Sequence, residues 1–562
     1  MPSPTAIKNG NLVNVSTGEI YKTDISINNG KITAVRENIT GKNIINARSK
    51  FIIPGLIESH IHIESSMVSL TEFSKAVIPH GTTTIINDPH EIANVLGISG
   101  INFLINESKN VPVNFYFTIP SCVPASAFET NGETIGLSEV KALVNNKKII
   151  GLGEVMNFPD VISGDAEISD KIHIVKNAGK IIDGHCPKLT GELLDKYISA
   201  GIMSDHESTT GKEAIEKLRK GMLIMIREGS AAKNISILKD ILNKNLNLNS
   251  VVFACDDRHP HDLIEEGHID RIIRKAIALG ADPIDAIKMA TINPANYFKL
   301  RDKGVIAPGK DADILIVNDI SKFEIDKVII AGEVVFENNE LIKKFKQYSY
   351  PDFVKNTFNV KPLTAADFDI KTNRCGEINA KVIKIIEGEL LTNSITRKLR
   401  VENNTIIPDI NSDILKIAVV ERHHRTGNIG RGFVRGFKLN RGAFASSVSH
   451  DSHNIIVVGT NNKDMLSAVN KITDMQGGLA IARDSKIYGL KLNIAGLMSE
   501  KLVSVVNKKL NFLNDKLKEF GVEINAPFMM LSFLALLVIP ELKLTDKGLF
   551  DVLKFEFVSV TC

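Results

Sequence analysis

The chain has 562 residues, which is too long for one hydrophobic core and predicts two or three domains. Hydrophobic residues make up 43% and charged residues 24% of the sequence, as is typical of soluble globular proteins. Lys and Arg total 68 against 65 Asp and Glu, which gives a net charge of +3 without a long run of either sign. This charge balance argues against a nucleic-acid partner.

The five cysteines are scattered along the chain, and none forms a Cys-x-x-Cys pair. This pattern predicts a reducing compartment, and we expect a cytoplasmic protein. Residues 1–5 contain no basic region followed by an apolar stretch, so we expect no secretory signal. The most apolar stretch, Phe528 to Ile539, is shorter than the roughly 20 residues that span a bilayer. We interpret it as a buried core element and expect no membrane partner.

Short strands and turns are predicted from residue 1 to about residue 50. Asn9-Gly10 and Asn29-Gly30 are dipeptides typical of hairpin turns between alternating segments. A related pattern returns in residues 304–340. The simplest interpretation is a small composite β-sandwich domain, made of residues 1–50 and 300–345, into which another domain is inserted.

The middle of the chain, residues 51–299, alternates short apolar strands with helical stretches. The predicted strands are Thr82–Ile86, Val113–Phe117, Lys148–Gly151, Lys180–Ile182, Ile202–Ser204 and Val251–Ala254, and the predicted helices include Gly211–Lys220, Asn234–Asn243 and Ile269–Ala278. Such alternation over about 250 residues predicts an α/β fold, a (β/α)8 barrel. Residues 366–562 mix strands with helices and are predicted to form a C-terminal α+β domain.

Two histidines, His60 and His62, follow the apolar run Phe51-Ile52-Ile53, which we interpret as a short buried strand that they close. Residues i and i+2 of a strand point to the same side. Two parallel imidazoles at a strand end can hold one metal ion. Barrels of this kind place their chemistry at the C-terminal ends of the strands.

Four more candidate metal ligands lie directly after later strands: Glu154, His185, His206 and Asp256. Because a βα unit takes about 30 residues, their spacing fits strands four, five, six and eight of a barrel that has the histidine pair on strand one. Each histidine taken singly is more often an ordinary hydrogen-bonded residue. Six such residues in the right order favour a metal site.

The chemistry of these side chains suits a pair of divalent ions. Imidazoles combined with carboxylates favour Zn, Mn or Fe over Ca. One carboxylate can bridge two ions about 3.5–4 Å apart, and Glu154 is placed for that role. Water held between two cations loses a proton near neutral pH. Asp256 is our candidate to accept that proton and deliver it to a leaving group, and Asp257 is the alternative.

A second polar cluster, Asn87 to Ile92, follows the strand Thr82–Ile86. Glu91 is a candidate general acid, and Asp88 and His90 are candidates to hold that acid or an additional metal. The alternative is that Asp88-Pro89 is a turn and Glu91 an ordinary charge at a helix N-terminus.

Three further histidine groups carry weaker signals. His259 and His261 follow Asp256, and substrate binding and simple loop polarity explain them about equally well. His450 and His453 lie in a polar segment before a strand, which either reaches the active site as a lid or wall or is a structural loop. Arg422-His423-His424-Arg425 is interpreted as a solvated surface.

At this point the motifs resemble a known family. The segment Pro54 to His62 is similar to the signature of the amidohydrolase superfamily, whose members are metal-dependent hydrolases. Within it, several segments resemble the adenine deaminases of bacteria and archaea, and the match extends over nearly the whole chain. These segments are His60–Met67, Asn87–Gly97, Gly153–Met156, Asp183–Pro187, Ser204–Glu207, Cys255–Pro260 and Pro540–Leu549.

The resemblance implies conversion of adenine and water to hypoxanthine and ammonia in purine salvage, on a divalent-metal pair. It implies metal ligation by His60, His62, Glu154, His185, His206 and Asp256. It further implies that Glu91 protonates the ring nitrogen of the base and that Asp256 passes the water proton to the departing amine. Many superfamily members carry a carboxylated Lys where this chain has Glu154, which is similar to the adenine deaminase pattern.

Two other functions remain as alternatives at this stage. Hydrolysis of a cyclic amide by an enzyme of the dihydroorotase type is opposed by Glu154 in the bridging position. A binding protein on a barrel that has lost its activity is opposed by the intact ligand set. The ligands and the family favour Mn²⁺, with Fe²⁺ or Zn²⁺ as alternatives, and a homodimer is expected.

Overall fold

The computed structural model describes residues 5–230, 232–346 and 348–561; Cys562 and the four N-terminal residues lie outside these ranges. The chain begins with five strands that belong to one sheet: β1 (Thr5–Asn14), β2 (Glu19–Asn28), β3 (Lys31–Arg36), β4 (Asn43–Asn46) and β5 (Phe51–Pro54). The predicted turn at Asn29-Gly30 joins β2 to β3, and both residues have positive φ, as such two-residue turns require.

The second predicted turn, Asn9-Gly10, is wrong. These residues lie inside β1, where the pairing register with β2 shifts between Ile7 and Gly10. Asn9 has a φ of 59° and forms a bulge instead of a turn. A Cβ atom on Gly10 would lie only 2.2 Å from Ile52 Cδ1, so close packing against β5 requires glycine here.

Eight parallel strands then form the barrel, the last of them in two pieces. They are β6 (Leu56–His62), β7 (Thr82–Asn87), β8 (Asn114–Ile119), β9 (Ile149–Val155), β10 (Ile181–Gly184), β11 (Ser204–Asp205), β12 (Leu223–Arg227), β13 (Val251–Ala254) and β14 (Asp256–Asp257). One sheet has the order β10-β9-β8-β7-β6-β14, and the other has the order β11-β12-β13. Gly184 N donates to Ser204 Oγ at 3.0 Å between these sheets, and β14 pairs with β6 to close the barrel.

Two expectations for this region need correction. The run Phe51-Ile52-Ile53 does not continue into the histidine pair, because β5 pairs with β1 in the first sheet whereas the histidines lie on β6. Pro54-Gly55 separates the two strands, and a Cβ on Gly55 would lie 2.2 Å from Thr83 Oγ1. The sequence interpretation also omitted β12, the seventh barrel strand.

Twelve helices accompany the barrel strands in the described chain. They are α1 (Leu70–Val77), α2 (His90–Glu107), α3 (Leu137–Leu143), α4 (Phe158–Ser163), α5 (Ala166–Asn177), α6 (Gly191–Ser199), α7 (Gly211–Arg219), α8 (Ser236–Asn243), α9 (Pro260–Glu265), α10 (Ile269–Ala278), α11 (Pro283–Met289) and α12 (Ile292–Tyr297). In α10, Ile269, Ile272, Ile273 and Ala276 are buried, which is the spacing of one apolar helix face against a sheet.

After the barrel the chain returns to the first sheet with β15 (Ile314–Val317), β16 (Ile325–Ile330), β17 (Glu333–Glu337) and β18 (Glu340–Leu341). Strand β15 pairs with β5, so both ends of the barrel insertion meet in a sheet of nine strands. Ile7, Ile25, Ile52, Ile314 and Ile329 share its small buried core.

The C-terminal region follows a short helix, α13 (Asp352–Lys355), and contains a nine-stranded sheet and a three-stranded sheet. Its strands are β19 (Gly376–Ile385), β20 (Thr392–Glu402), β21 (Thr405–Ile406), β22 (Ile414–Val420), β23 (Ile429–Arg435), β24 (Ala443–Ser446), β25 (Ile455–Gly459), β26 (Gly478–Arg483), β27 (Lys486–Lys491), β28 (Leu542–Thr545), β29 (Gly548–Asp551) and β30 (Glu556–Phe557). Its helices are α14 (Asn462–Met475), α15 (Val503–Glu519) and α16 (Pro527–Ser532). Among the described residues, no helix has both the length and the apolar character that crossing a membrane requires.

Candidate metal centre

The histidine pair occupies the end of barrel strand β6, as the i, i+2 spacing predicts. His60 Nε2 lies 3.2 Å from His62 Nε2, and both side chains are almost fully buried. The second nitrogen of each ring is engaged elsewhere, since His60 Nδ1 lies 3.0 Å from Asp183 Oδ2 and His62 Nδ1 lies 2.9 Å from the carbonyl oxygen of Asp88. Such outer contacts fix the ring orientation and leave Nε2 free to ligate a metal.

Glu154 stands at the centre of the cluster, at the end of β9. Its Oε1 lies 3.3 Å from His62 Nε2, and its Oε2 lies 3.1 Å from His206 Nε2 and 2.7 Å from His185 Nδ1. One carboxylate oxygen therefore faces His62, and the other faces both His185 and His206. Burial alone would raise the pKa of Glu154, but its contacts with these histidines outweigh burial and hold the pKa well below its ordinary value.

Asp256 approaches from the opposite side, on β14. Its Oδ1 lies 3.0 Å from His62 Nε2, and its Oδ2 accepts a hydrogen bond from Arg227 Nη1 at 2.6 Å. Burial alone would raise the pKa of Asp256, but Arg227 and His62 outweigh burial and lower the pKa well below its ordinary value. The residue has a φ of 58°, a backbone conformation rare outside glycine and associated with functional sites.

The donor atoms fit a pair of divalent metal ions. His60, Glu154 and His206 offer three ligand atoms within 4.8 Å of one another, and so do His60, His62 and Asp256. Nitrogen and carboxylate oxygen donors together are a ligand set for Zn, Mn or Fe. His60 Nε2 and His62 Nε2 face each other at 3.2 Å, an arrangement that a cation between them would stabilise. The six sequence-predicted ligands therefore form one cluster.

Asp88 and His90 border this cluster and form, together with His62, a further group whose ligand atoms lie within 4.8 Å of one another. Asp88 Oδ2 accepts a hydrogen bond from the backbone N–H of Glu154 at 3.1 Å, while Oδ1 has no hydrogen-bond partner among the described residues. His90 Nδ1 lies 3.6 Å from Glu154 Oε1. These contacts attach the segment after β7 to Glu154.

Glu91 lies in the first turn of α2, one residue beyond His90, and is buried. His90 Nε2 lies 3.5 Å from its Oε1, and His450 Nδ1 lies 2.7 Å from the same oxygen. His453 Nε2 contacts the other oxygen. Burial alone would raise the pKa of Glu91, but the neighbouring histidines outweigh burial and lower the pKa well below its ordinary value.

A small cavity, with a volume of about 20 Å³, lies between the barrel and the C-terminal region. Glu64, Asp257 and His259 line it from the barrel, and His450 and Phe533 line it from the C-terminal region. This is room for about one water molecule, so a larger ligand would have to widen the cavity. Asp257 faces this cavity and contacts Ser65, apart from the six-ligand cluster, whereas His261 is exposed to solvent.

Comparison with known proteins agrees with this geometry. Residues 51–335 match the amidohydrolase family, and residues 389–556 match the adenine deaminase C-terminal domain. An adenine deaminase of Desulfatibacillum aliphaticivorans is 46% identical over 562 residues, covering 100% of this chain and 97% of the relative. An adenine deaminase of Kosmotoga olearia is 43% identical, covering 100% of this chain and 96% of the relative.

The chain belongs to the adenine deaminase family of amidohydrolases. Among solved structures, a β-aspartyl dipeptidase of Fervidobacterium islandicum AW-1 aligns with a TM-score of 0.46 at 18% identity, covering 62% of this chain and 99% of that chain. An enamidase, a member of the amidohydrolase superfamily, aligns with a TM-score of 0.47 at 19% identity, covering 61% of this chain and 99% of that chain.

Sequence reasoning missed two residues of this family member's site, Arg227 and Asp183. Arg227 ends the omitted strand β12 and contacts both Glu207 and Asp256. The apolar run Leu223-Ile224-Met225-Ile226 was the available signal for that strand, because an eight-stranded barrel needs one between His206 and Asp256. Asp183, two residues before His185, has its Oδ2 3.0 Å from His60 Nδ1. A buried carboxylate that orients a histidine ring has no sequence pattern of its own.

The expectation of a solvated surface at residues 422–425 is wrong for its first residue. Arg422 is fully buried, and its guanidinium donates to the carbonyl oxygen of Ala495 at 3.0 Å and to that of His453. A buried guanidinium is tolerated when carbonyl groups accept its hydrogen bonds. His424 and Arg425 are exposed, as expected.

Proposed function

We propose that this protein catalyses the hydrolytic deamination of adenine, so that adenine and water yield hypoxanthine and ammonia in purine salvage. The observation that carries the proposal is the buried Glu154 carboxylate among three histidines, at the position where the barrel strands converge. Relatives named adenine deaminase that match over the full chain support the same reaction.

The proposed metal ligands are the six residues of the cluster: His60, His62, Glu154, His185, His206 and Asp256. We propose Mn²⁺ as the native ion, with Fe²⁺ or Zn²⁺ as alternatives, because imidazole and carboxylate donors accept all three. When bound, the two metal ions would act as Lewis acids and lower the pKa of a water molecule to near neutrality. Asp88 and His90 are proposed to hold the acid Glu91 or an additional metal ion, because with His62 they form a further group of closely spaced ligand atoms.

The protein side chains supply the proton transfers. Asp256 is proposed to accept a proton from the attacking water and to pass it to the departing amine, because its ionised form is stabilised by Arg227. Glu91 is proposed to take up the second proton of the attacking water, because the neighbouring histidines lower the pKa of its carboxyl group and keep it ionised, and to deliver that proton to the ring nitrogen beside the reacting carbon. Adenine would then lie at the cavity, which it would have to widen, with Asp257, His259 and His450 within the lining. Asp257 is the alternative proton carrier.

A cytoplasmic location is proposed because the four described cysteines Cys122, Cys186, Cys255 and Cys375 are free thiols. The near-neutral charge balance supports the proposal that nucleic acid is not a partner. A homodimer without a membrane partner is proposed as well.

The test is adenine consumption, followed by absorbance together with ammonia release, on protein reconstituted with Mn²⁺ under reducing conditions. Glu154→Ala is the control, since it removes the bridging carboxylate. Turnover that the control lacks would support a metal-dependent adenine deaminase. A protein that binds two metals per chain but leaves adenine unchanged would contradict the proposal and direct attention to cyclic amides.

A further inference from the structure

The proposed acid Glu91 belongs to the barrel, but its closest partners belong to the C-terminal region. His450 and His453 lie in the loop between β24 and β25, more than 350 residues after Glu91 in the sequence. His450 Nδ1 lies 2.7 Å from Glu91 Oε1, and His453 Nε2 contacts Oε2. Each carboxylate oxygen therefore has one histidine of its own from another part of the chain.

The ring of His453 is fixed by its own loop. The backbone N–H of Ser449 donates to His453 Nδ1 at 3.2 Å, so Nδ1 is an acceptor and the ring hydrogen is on Nε2. Nε2 is the nitrogen that contacts Glu91 Oε2. Arg422, fully buried, donates to the carbonyl oxygen of His453 and anchors the backbone of the same residue.

The ring of His450 is fixed by packing. It stacks on Phe533 with ring centroids 4.4 Å apart and an angle of 15° between the planes. Its backbone N–H donates to the carbonyl oxygen of Ser532 at 3.1 Å. Both histidines are therefore held in place by groups other than Glu91, which is what a rigid support for a reacting side chain requires.

We propose that His450 and His453 are positioning residues, which hold the Glu91 carboxylate from the C-terminal region in the orientation that proton transfer to the substrate ring needs. The inference rests on the proposed function for the identity of the reaction. Neither histidine belongs to the six-ligand cluster. The C-terminal region thereby takes part in catalysis by completing the site of the acid.

The first experiment separates loss of position from loss of folding. Asn and Gln present an amide hydrogen at about the positions of imidazole Nδ1 and Nε2, respectively. We expect His450→Leu and His453→Leu to lower kcat about 10–100-fold, as loss of an outer partner does, with metal content unchanged. KM should stay unchanged in His453→Leu, whereas His450→Leu also alters the cavity lining, so kcat is its diagnostic readout. His450→Asn and His453→Gln keep a donor toward Glu91 and should recover most of kcat. His424→Leu, an exposed histidine of the same region, is the matched control.

A double-mutant cycle tests whether the histidines act through Glu91. In a Glu91→Gln background, adding His450→Leu or His453→Leu should cause no further loss of kcat. Losses that multiply instead would overturn the inference, because the histidines would then act on substrate or metal directly.

A spectroscopic measurement tests the inference independently of turnover. In protein carrying ¹⁵N-labelled histidine, the ring nitrogen signals of His450 and His453, assigned with the Asn and Gln variants, should shift in Glu91→Gln while that of His424 stays in place. Unchanged signals would overturn the inference. The two proposals can also be separated. If Glu91→Gln shifts these signals but the wild-type protein does not deaminate adenine, the proposed function is contradicted while the contact with Glu91 is established.

Discussion

The metal cluster and the Glu91 site are adjacent but are assembled in different ways. All six cluster residues, from His60 to Asp256, come from strand ends of one barrel. Glu91 also comes from the barrel, but its carboxylate is held by His450 and His453 of the C-terminal region. A strand-end site can be inferred from spacing along one segment, whereas a site made between two regions depends on how those regions pack.

The largest expected loss of activity comes from a substitution within the metal cluster. His62 Nε2 faces both Glu154 and Asp256, so His62→Asn should remove a central ligand. We expect kcat/KM to fall at least about 10³-fold, beyond the 10–100-fold typical of outer-shell partners, with fewer than two metals per chain. Steady-state kinetics and elemental analysis check this, with His424→Asn as control. Two metals per chain in His62→Asn would contradict the assignment of His62 to the metal cluster.

The adjacent aspartates sharpen the boundary between the two sites. Asp256 lies in the cluster and Asp257 lines the cavity. Asp256→Asn should lower kcat about 10²–10⁴-fold, the usual contribution of a proton-transferring group. Asp257→Asn should chiefly raise KM. The kcat and KM values of both variants measure this, and a larger kcat loss in Asp257→Asn would reverse the assignment of the proton carrier.

Arg227 supplies a test by pH. Its guanidinium outweighs burial and lowers the pKa of Asp256, which must be ionised to accept a proton. In Arg227→Gln that pKa should rise, so the acid limb of the kcat/KM profile should move to higher pH. We expect a loss of roughly 10–100-fold near neutral pH, which becomes smaller as pH increases.

The matched variant Arg227→Lys retains the positive charge. Its acid limb should lie closer to that of the wild type. A profile of Arg227→Gln that falls uniformly at every pH would mean that Arg227 acts by shape and not by charge.

The smallest expected effect on activity comes from a contact between the barrel and the C-terminal region that does not involve the metal cluster or Glu91. Asp546 accepts hydrogen bonds from Thr130 N at 2.9 Å and from Thr130 Oγ1 at 2.7 Å. Asp546→Asn should raise KM for adenine about two- to tenfold, because one hydrogen bond contributes about 0.5–1.5 kcal/mol. Metal content should stay at the wild-type level. Asp551→Asn, on the neighbouring strand β29, is a suitable control.

The metal cluster could be predicted from the sequence to a greater extent than the surroundings of Glu91. That the candidate ligands at the ends of β6, β9, β10, β11 and β14 lie together was predictable, because strand ends of a parallel barrel converge and βα units have a regular length. The contacts of Glu91 with His450 and His453 were not, because nothing local to either segment records the other. The polar segment around His450 indicated only a lid, a wall or a loop.

Errors in the sequence interpretation have equally local causes. Phe51 to Ile53 and the histidine pair appear continuous in the sequence, but Pro54-Gly55 sends them into different sheets. Strand β12 was omitted, and Arg227 with it. Arg422 is charged, and charged residues are usually exposed. Its burial depends on hydrogen bonds to the carbonyl oxygens of Ala495 and His453, which are distant in the sequence.

The order in which the chain supplies its parts has a consequence for biosynthesis. At a translation rate of about 5–20 residues per second, Asp256 is made about 10–40 s before His450. A growing chain thus contains every proposed metal ligand well before it contains the groups that hold the acid. A product cut short between these points would retain the ligands and lack the acid support. The metal content of a preparation is therefore a different quantity from its concentration of competent active sites.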